Sequence, residues 1–193
     1  MAVGGVWVVS RKPDAREAAM ATTSVEKLTR LSKLDLQELC EAAEDGIRAG
    51  GGFGWLTPPP RQVMENYWKG VLLVPERSLI VGRLDGVICG SAQLLRPSRN
   101  NEAQAHSAQV TTNFVAPWAR GHGLARGIAL AVEEEARAHG IGILNLDVRE
   151  TQSAAVQLYQ SLGYRHYGTH PRYARVDGQW VAGLFFWKDL AAP

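Results

Sequence analysis

Residues 119–127 read ARGHGLARG, three glycines, two arginines and a histidine set between a strand-like stretch and a helix-like one. The N–H groups that open a helix have no partner inside it, and the helix dipole adds partial positive charge there, so the natural occupant is an anion. Gly121 and Gly123 keep side chains away from an approaching phosphate, while Arg120 and Arg126 add cationic charge. On composition alone, a glycine-rich turn that binds nothing would look the same. The spacing G-x-x-x-x-G-K-[ST] is absent, which excludes a Walker A loop. A dinucleotide fingerprint comes nearer, through Gly121, Gly123 and an acid, Asp147, after the next apolar run. Against it, Arg126 stands where a third glycine belongs, the loop does not spring straight from Val115, and too little chain follows for more strand-helix units. His106, His122, His139, His166 and His170 show no ligand spacing with one another or with cysteine, so no metal is expected.

Those residues need a scaffold, and 193 residues at 46% hydrophobic make one sizeable core and one domain. Twenty-one Lys+Arg against nineteen Asp+Glu give a net charge of +2, with no basic run longer than Arg11-Lys12, so no nucleic-acid partner is expected. Cys40 and Cys89 lack C-x-x-C spacing and read as buried apolar residues in a reducing compartment, which gives a cytoplasmic expectation. The apolar stretch AVGGVWVV is too short to span a membrane and is followed, not preceded, by Arg11 and Lys12. Residues 1–19 are expected to be an N-terminal extension and residues 20–193 the domain.

Periodicity supplies the elements. SVEKLTRL suits a short strand, and SKLDLQELCEAAEDGIRAGGG a helix carrying Leu36, Leu39, Cys40, Ala43 and Ile47 on one face. GGFGWLTPPP is a loop whose prolines open a second helix with a face of Val63, Met64, Tyr67 and Trp68. Two β-rich runs flank Asp85-Gly86, the chemistry of a tight hairpin. EAQAHSAQVTTNFV is another strand, LARGIALAVEEEARAHG a helix, IGILNLDV a central strand and QSAAVQLYQSLG a short helix. A closing pair of strands turns at Asp177-Gly178. The order predicts an α/β (α+β) domain: a mixed, mostly antiparallel sheet of six to seven strands, about four helices and one central parallel crossover.

The run from Val115 to Gly168 resembles the GNAT superfamily of acyl-CoA N-acetyltransferases, whose signature is Arg or Gln, two residues, Gly, one residue, then Gly or Ala. Arg120, Gly123 and Ala125 carry it, and LYQSLGY resembles the family's second motif. The tail YGTHPRYARVDGQWVAGLFFWKDL and the GGFGW loop are similar to a tabtoxin-resistance-type subgroup of small-molecule acetyltransferases. The resemblance implies a GNAT-like fold and acetyl-CoA as co-substrate. Its pyrophosphate would lie on the amides of Arg120, Gly121, His122, Gly123, Leu124 and Ala125, with backbone groups of Phe114 and Val115 pairing with the pantetheine arm. Where the family often has Asn, this chain has Gln152, a longer amide still able to reach that arm. A homodimer is expected on the same ground.

Transfer of acetyl from sulfur to an amine needs a neutral amine, a polarised carbonyl and a proton for the departing thiolate. Tyr159 matches the family's general acid, and its phenol stays protonated at neutral pH; a core role for a residue on that apolar stripe is the rival reading. Asp147, at the C-terminal end of a central strand, is the candidate base. Alternatively it caps the following loop or pairs with Arg149, and Glu150 is a nearby substitute. A backbone amide at Phe114 or Val115 would polarise the carbonyl. Phe53, Trp55 and Tyr173, with Trp68 and Trp180, are candidates to wall an amine site, or else core, and the glycines before Trp55 suit a lid. The expected activity is N-acetylation of a small-molecule primary amine through a ternary complex. The alternative is a non-catalytic coenzyme A-binding or sensing domain.

Overall fold

The computed structural model describes residues 21–51 and 53–191; the expected N-terminal extension lies outside them. The elements are β1 (Thr23–Leu28), α1 (Lys33–Arg48), α2 (Arg61–Leu73), β2 (Arg77–Leu84), β3 (Val87–Leu95), β4 (Ser107–Val115), α3 (Leu124–Ala138), β5 (Ile143–Arg149), α4 (Ser153–Ser161), β6 (Arg165–Val176) and β7 (Gln179–Asp189). Short 3-10 turns precede β4 at Glu102–Gln104 and follow it at Pro117–Ala119. The seven strands lie in the order β1-β2-β3-β4-β5-β7-β6, antiparallel except for β4 beside β5. Four helices and one parallel crossover match the expected class.

Local chemistry explains the boundaries. Ser32 and Asp35 form a capping box at the start of α1, each side chain accepting the other's backbone N–H at 3.0 Å. Arg83, from β2, then donates to Asp35 at 2.7 Å and to Glu26 at 2.6 Å, tying helix and edge strand together. Its guanidinium, followed by the Ser32 hydrogen bond, holds the Asp35 carboxyl below the usual carboxylate range. The β2–β3 turn places Asp85 at φ 51° and Gly86 at φ 85°, as the two-residue hairpin requires. The α2 face differs from expectation by one residue: Met64, Trp68 and Val71 are buried, whereas Val63 is exposed.

Helices cover both faces of the sheet. Ile128 and Val132 of α3 and Tyr159 of α4 pack on one side against Ala108, Val110, Leu144, Leu146 and Val148. Leu39 and Ile47 of α1 and Met64 and Trp68 of α2 pack on the other, against Leu79, Val81 and Phe114. Side chains alternate across a strand, so Asn145, Asp147 and Arg149 of β5 point towards the α1/α2 face.

Candidate active site

Strands β4 and β5 pair over three positions only, Ser107 with Ile143, Ala108 with Leu144 and Gln109 with Asn145. Beyond Gln109 and Asn145 no further pairing joins them within the described residues, so the sheet opens towards the C-terminal ends of both strands. The cause lies partly in β4. Gln93 pairs with Thr111 and Ser91 with Phe114, which leaves Thr112 and Asn113 opposite Ala92 alone. This β-bulge sets Thr112 at φ 52°, an uncommon conformation for a β-branched residue, and re-aims the edge that follows.

Ala116 donates its N–H to Cys89 on β3 at 2.7 Å. By alternation the N–H and C=O of Val115 face the opening, and those of Phe114 face β3, where the Phe114 oxygen would lie 2.6 Å from a Cβ on Gly90. The free edge beside the opening therefore belongs to Asn113 and Val115 rather than to Phe114, whose ring is buried against Phe53 at 4.7 Å. The Val115 oxygen meets Arg120 Nε at 3.4 Å.

The glycine loop lies at the mouth of this opening. Gly121 (φ 86°) and Gly123 (φ 76°) are both left-handed, and a Cβ on either would have nothing within 4 Å. Gly123 is the N-cap of α3, and the first closure into the helix is Gly127 N–H to the Gly123 oxygen at 3.0 Å. The N–H groups of Gly121, His122, Gly123, Leu124 and Ala125 meet no acceptor among the described residues. That of Arg120 differs, donating to Pro117 at 3.3 Å. Nδ1 of His122 lies 3.1 Å from the Arg120 oxygen, so its side chain folds back on the loop. Five consecutive amides without an acceptor among the described residues, at the N-terminus of α3, fit a pyrophosphate.

On the α3/α4 side of the opening stands Tyr159, buried, with its ring edge-on to Tyr164. Asn113 Nδ2 donates to its hydroxyl at 2.5 Å. Since the amide is the donor, the phenol's own hydrogen stays available. Burial pushes the Tyr159 phenol up to about 12, with the Asn113 contact opposing, so it remains protonated at neutral pH. The rival core reading and the site reading coincide here: the ring packs in the core while the hydroxyl reaches β4.

On the α1/α2 side stands Asp147. Gln109 Nε2 donates to one carboxylate oxygen at 3.4 Å and the Tyr173 hydroxyl donates to the other. Burial, followed by that hydrogen bond to the carboxylate, pushes the Tyr173 phenol up to about 12. Asp147 neither caps the following loop nor pairs with Arg149. Instead Arg149 donates to the Phe53 carbonyl at 2.5 Å, and Glu150 accepts from Ala182 N–H at 3.1 Å. Gln152, the N-cap of α4, donates to the Gly50 carbonyl at 3.1 Å. The two contacts from Arg149 and Gln152 fasten the loop after α1 to the end of β5.

The aromatic candidates separate. Tyr173 reaches the site, and Trp55 packs edge-on to Tyr67 at 5.2 Å, whose hydroxyl lies 3.1 Å from Thr112 Oγ1. The Phe53 and Trp68 rings belong to the core, buried under α1 and α2. Trp180 is more than half exposed between Arg172 and Arg175, on the opposite face from Tyr173. Sequence reasoning missed Asn113 and Gln109, which carry no local signal, and named Arg149 only as a partner for Asp147, whereas it holds the Phe53 carbonyl. Among the described residues no group of His, Cys, Asp or Glu is arranged to hold a metal, and no helix is long and apolar enough to cross a membrane.

The model of the acetyltransferase (GNAT) family matches residues 36–164. A protein of Azospirillum brasilense described as an uncharacterized N-acetyltransferase in the hisH-hisA intergenic region is 67% identical over 133 residues, 69% of this chain and 79% of its own. The fold superposes on an N-acetyltransferase from Staphylococcus aureus Mu50 with a TM-score of 0.75 at 20% identity, covering 88% of this chain and 99% of that one. It also superposes on yncA of Salmonella typhimurium, a putative acetyltransferase solved with acetyl-CoA, with a TM-score of 0.71 at 19% identity and 89% and 97% coverage.

Proposed function

The chain belongs to the GNAT acetyltransferase family and is an N-acetyltransferase, and from that premise we propose that it moves the acetyl group of acetyl-CoA directly to a small-molecule primary amine in a ternary complex. One observation carries this reading. Asp147 and Tyr159 stand on opposite faces of the sheet beside an opening whose strand edge is free. Acetyl-CoA supplies the activated thioester. The amides of residues 121–125 hold its pyrophosphate, and the free edge of Val115 pairs with its arm as an added strand would. Gln152 is spoken for by Gly50 in the free protein and reaches the arm only by exchanging that contact.

The chemistry then divides by face. An aliphatic ammonium, with a pKa near 10, must lose a proton before it attacks, and the Asp147 carboxylate accepts it. The N–H of Asn113, on the same edge as Val115, polarises the thioester carbonyl. Tyr159 donates to the departing sulfur; a thiol at about 8.5 is a stronger acid than a phenol held at about 12, so the phenol acts by hydrogen-bonding the thiolate as charge builds on sulfur, and any proton it passes on is replaced from solvent. Trp55 and Tyr173 wall the amine. The similarity of the closing hairpin to small-molecule acetyltransferases favours a compact acceptor, and the outer edge of β6, unpaired among the described residues, offers a surface for a homodimer.

The test is release of free thiol from acetyl-CoA across polyamines, amino acids, aminoglycosides, β-lactam amines and peptide N-termini. Thiol release with a small amine is expected, together with its loss in Asp147→Asn. Acetylation confined to peptide N-termini would refute the small-molecule reading. Coenzyme A binding without turnover on any amine would return the chain to a binding or sensing role.

A further inference from the structure

Strand β6 does not run evenly beside β7. His170 pairs with Gly183 and Ala174 with Val181, so Pro171, Arg172 and Tyr173 stand opposite Ala182 alone. Two extra residues must bow outward, and Pro171, which has no N–H to lose, sits in that bow on an edge strand. The bow throws Tyr173 back across β7. A Cβ on Gly183 would lie 2.3 Å from Tyr173 Cγ, closer than any real contact, so the ring occupies the space that only glycine leaves. Crossing there, the ring packs edge-on to Phe185 at 5.9 Å and its hydroxyl reaches Asp147 on β5, the strand beyond.

We propose that Tyr173, carried over Gly183 by the β6 bulge, is the positioning residue of the acceptor site: it fixes the Asp147 carboxylate towards the incoming amine and, with Phe185, makes the aromatic side of that site. The inference rests on Asp147 being the proton acceptor. With Tyr173 donating to one oxygen and Gln109, at longer range, to the other, the carboxylate is held from the β6 and β4 sides. The groups that face it are Gln109 from β4, the Tyr173 hydroxyl from β6 and the Phe185 ring paired opposite on β7. Arg149 on β5 adds the positive charge that acts on the Tyr173–Asp147 pair. The loop after α1 adds the Phe53 carbonyl, already taken by Arg149. No second carboxylate enters this set, and the phenol is the adjustable member.

Three variants test this on the full chain: Tyr173→Phe, Gly183→Ala and Asp147→Asn. The first readout needs no acceptor, being 13C NMR titration of the tyrosine phenols. Burial and the hydrogen bond to Asp147 both raise the Tyr173 phenol. Its titration is therefore expected to move down in Asp147→Asn, where the carboxylate charge is gone, and in Gly183→Ala, where the added Cβ displaces the ring. The second readout is turnover with the amine that releases thiol most rapidly in the acceptor panel. Tyr173→Phe, which keeps the ring and loses only the hydroxyl, should lower kcat for that amine roughly ten-fold and leave the KM for acetyl-CoA unchanged, a split that general loss of packing does not produce. A Tyr173 phenol that titrates alike in wild type and Asp147→Asn, or an unchanged kcat in Tyr173→Phe, overturns the proposal. Wild-type turnover in Asp147→Asn overturns the proton-acceptor reading instead, so the two failures are told apart.

Discussion

Gly123 and Gly140 bracket α3, and the pair isolates what the glycine loop does from what a left-handed glycine costs. Both are left-handed, at φ 76° and 71°, and neither would bring a new Cβ within 4 Å of another atom. Alanine at either position therefore meets no clash and suffers only the backbone penalty, about 1–2 kcal/mol. Both variants should melt a few degrees lower, by about 2–4 °C for each kcal/mol in a domain of this size. Acetyl-CoA affinity should separate them. At position 123 the methyl group stands on the turn that carries the free amides, where a phosphate must approach. Displacing it from one or two of them forfeits charge-assisted hydrogen bonds worth about 1.5–3 kcal/mol each. The dissociation constant should rise by at least ten-fold, and by more than a hundred-fold if two are lost. Gly140→Ala should bind within two-fold of wild type. Isothermal titration with acetyl-CoA beside thermal melts decides it. Equal affinities in two folded variants with equal melting losses would show that the loop is a turn and that the pyrophosphate lies elsewhere.

Tyr159→Phe should lower turnover by about ten- to a thousand-fold with acetyl-CoA affinity nearly intact, within the span of acid-base contributions; steady-state kinetics beside titration calorimetry reads both. Because the Tyr159 phenol is held near 12, any loss of rate between pH 8 and 10 belongs to another group and should persist in the variant. Asp35 has a lowered folded-state pKa, so its stabilising effect is present above the unfolded value and disappears as pH falls through the folded one. Arg83→Met should accordingly cost more stability at pH 7 than at pH 2, measured by urea denaturation at each pH. Arg149→Ala releases the Phe53 carbonyl and should speed protease cleavage after α1, with no change in acetyl-CoA affinity; cleavage at the wild-type rate would show that this contact does not hold the loop.

Much of this was legible because it is local. The Ser32 cap, the Asp85-Gly86 turn and the stripe through Leu124, Ile128 and Val132 are decided by residues a few positions apart, and the structure follows them. The free amides of the loop were equally readable, since Gly121 and Gly123 announce their conformation. The site's polar contacts were not. Asn113 meets Tyr159, and Tyr173 meets Asp147, across distant stretches of chain, and each contact depends on a bulge that shifts a strand's register. Hydrophobic alternation does not report such a shift: β4 reads as one strand whether or not Thr112 bows out. The aromatic residues were ambiguous for a related reason, because Phe53 and Trp55 differ in environment through one turn of a loop rather than through type.

The bulge at Thr112 also sets a limit on how this domain can be improved. Strands β4 and β5 carry enough residues to pair along their length, and a regular sheet would satisfy the Val115 edge, whose carbonyl now meets only the Arg120 side chain. Such a sheet would leave no place for the arm that the proposed reaction lays along β4. Catalytic competence is thus held in a deliberate irregularity, and selection for thermal stability alone would tend to erase it. A protein-engineering campaign on this fold should leave the left-handed threonine and its contact with the Tyr67 hydroxyl alone.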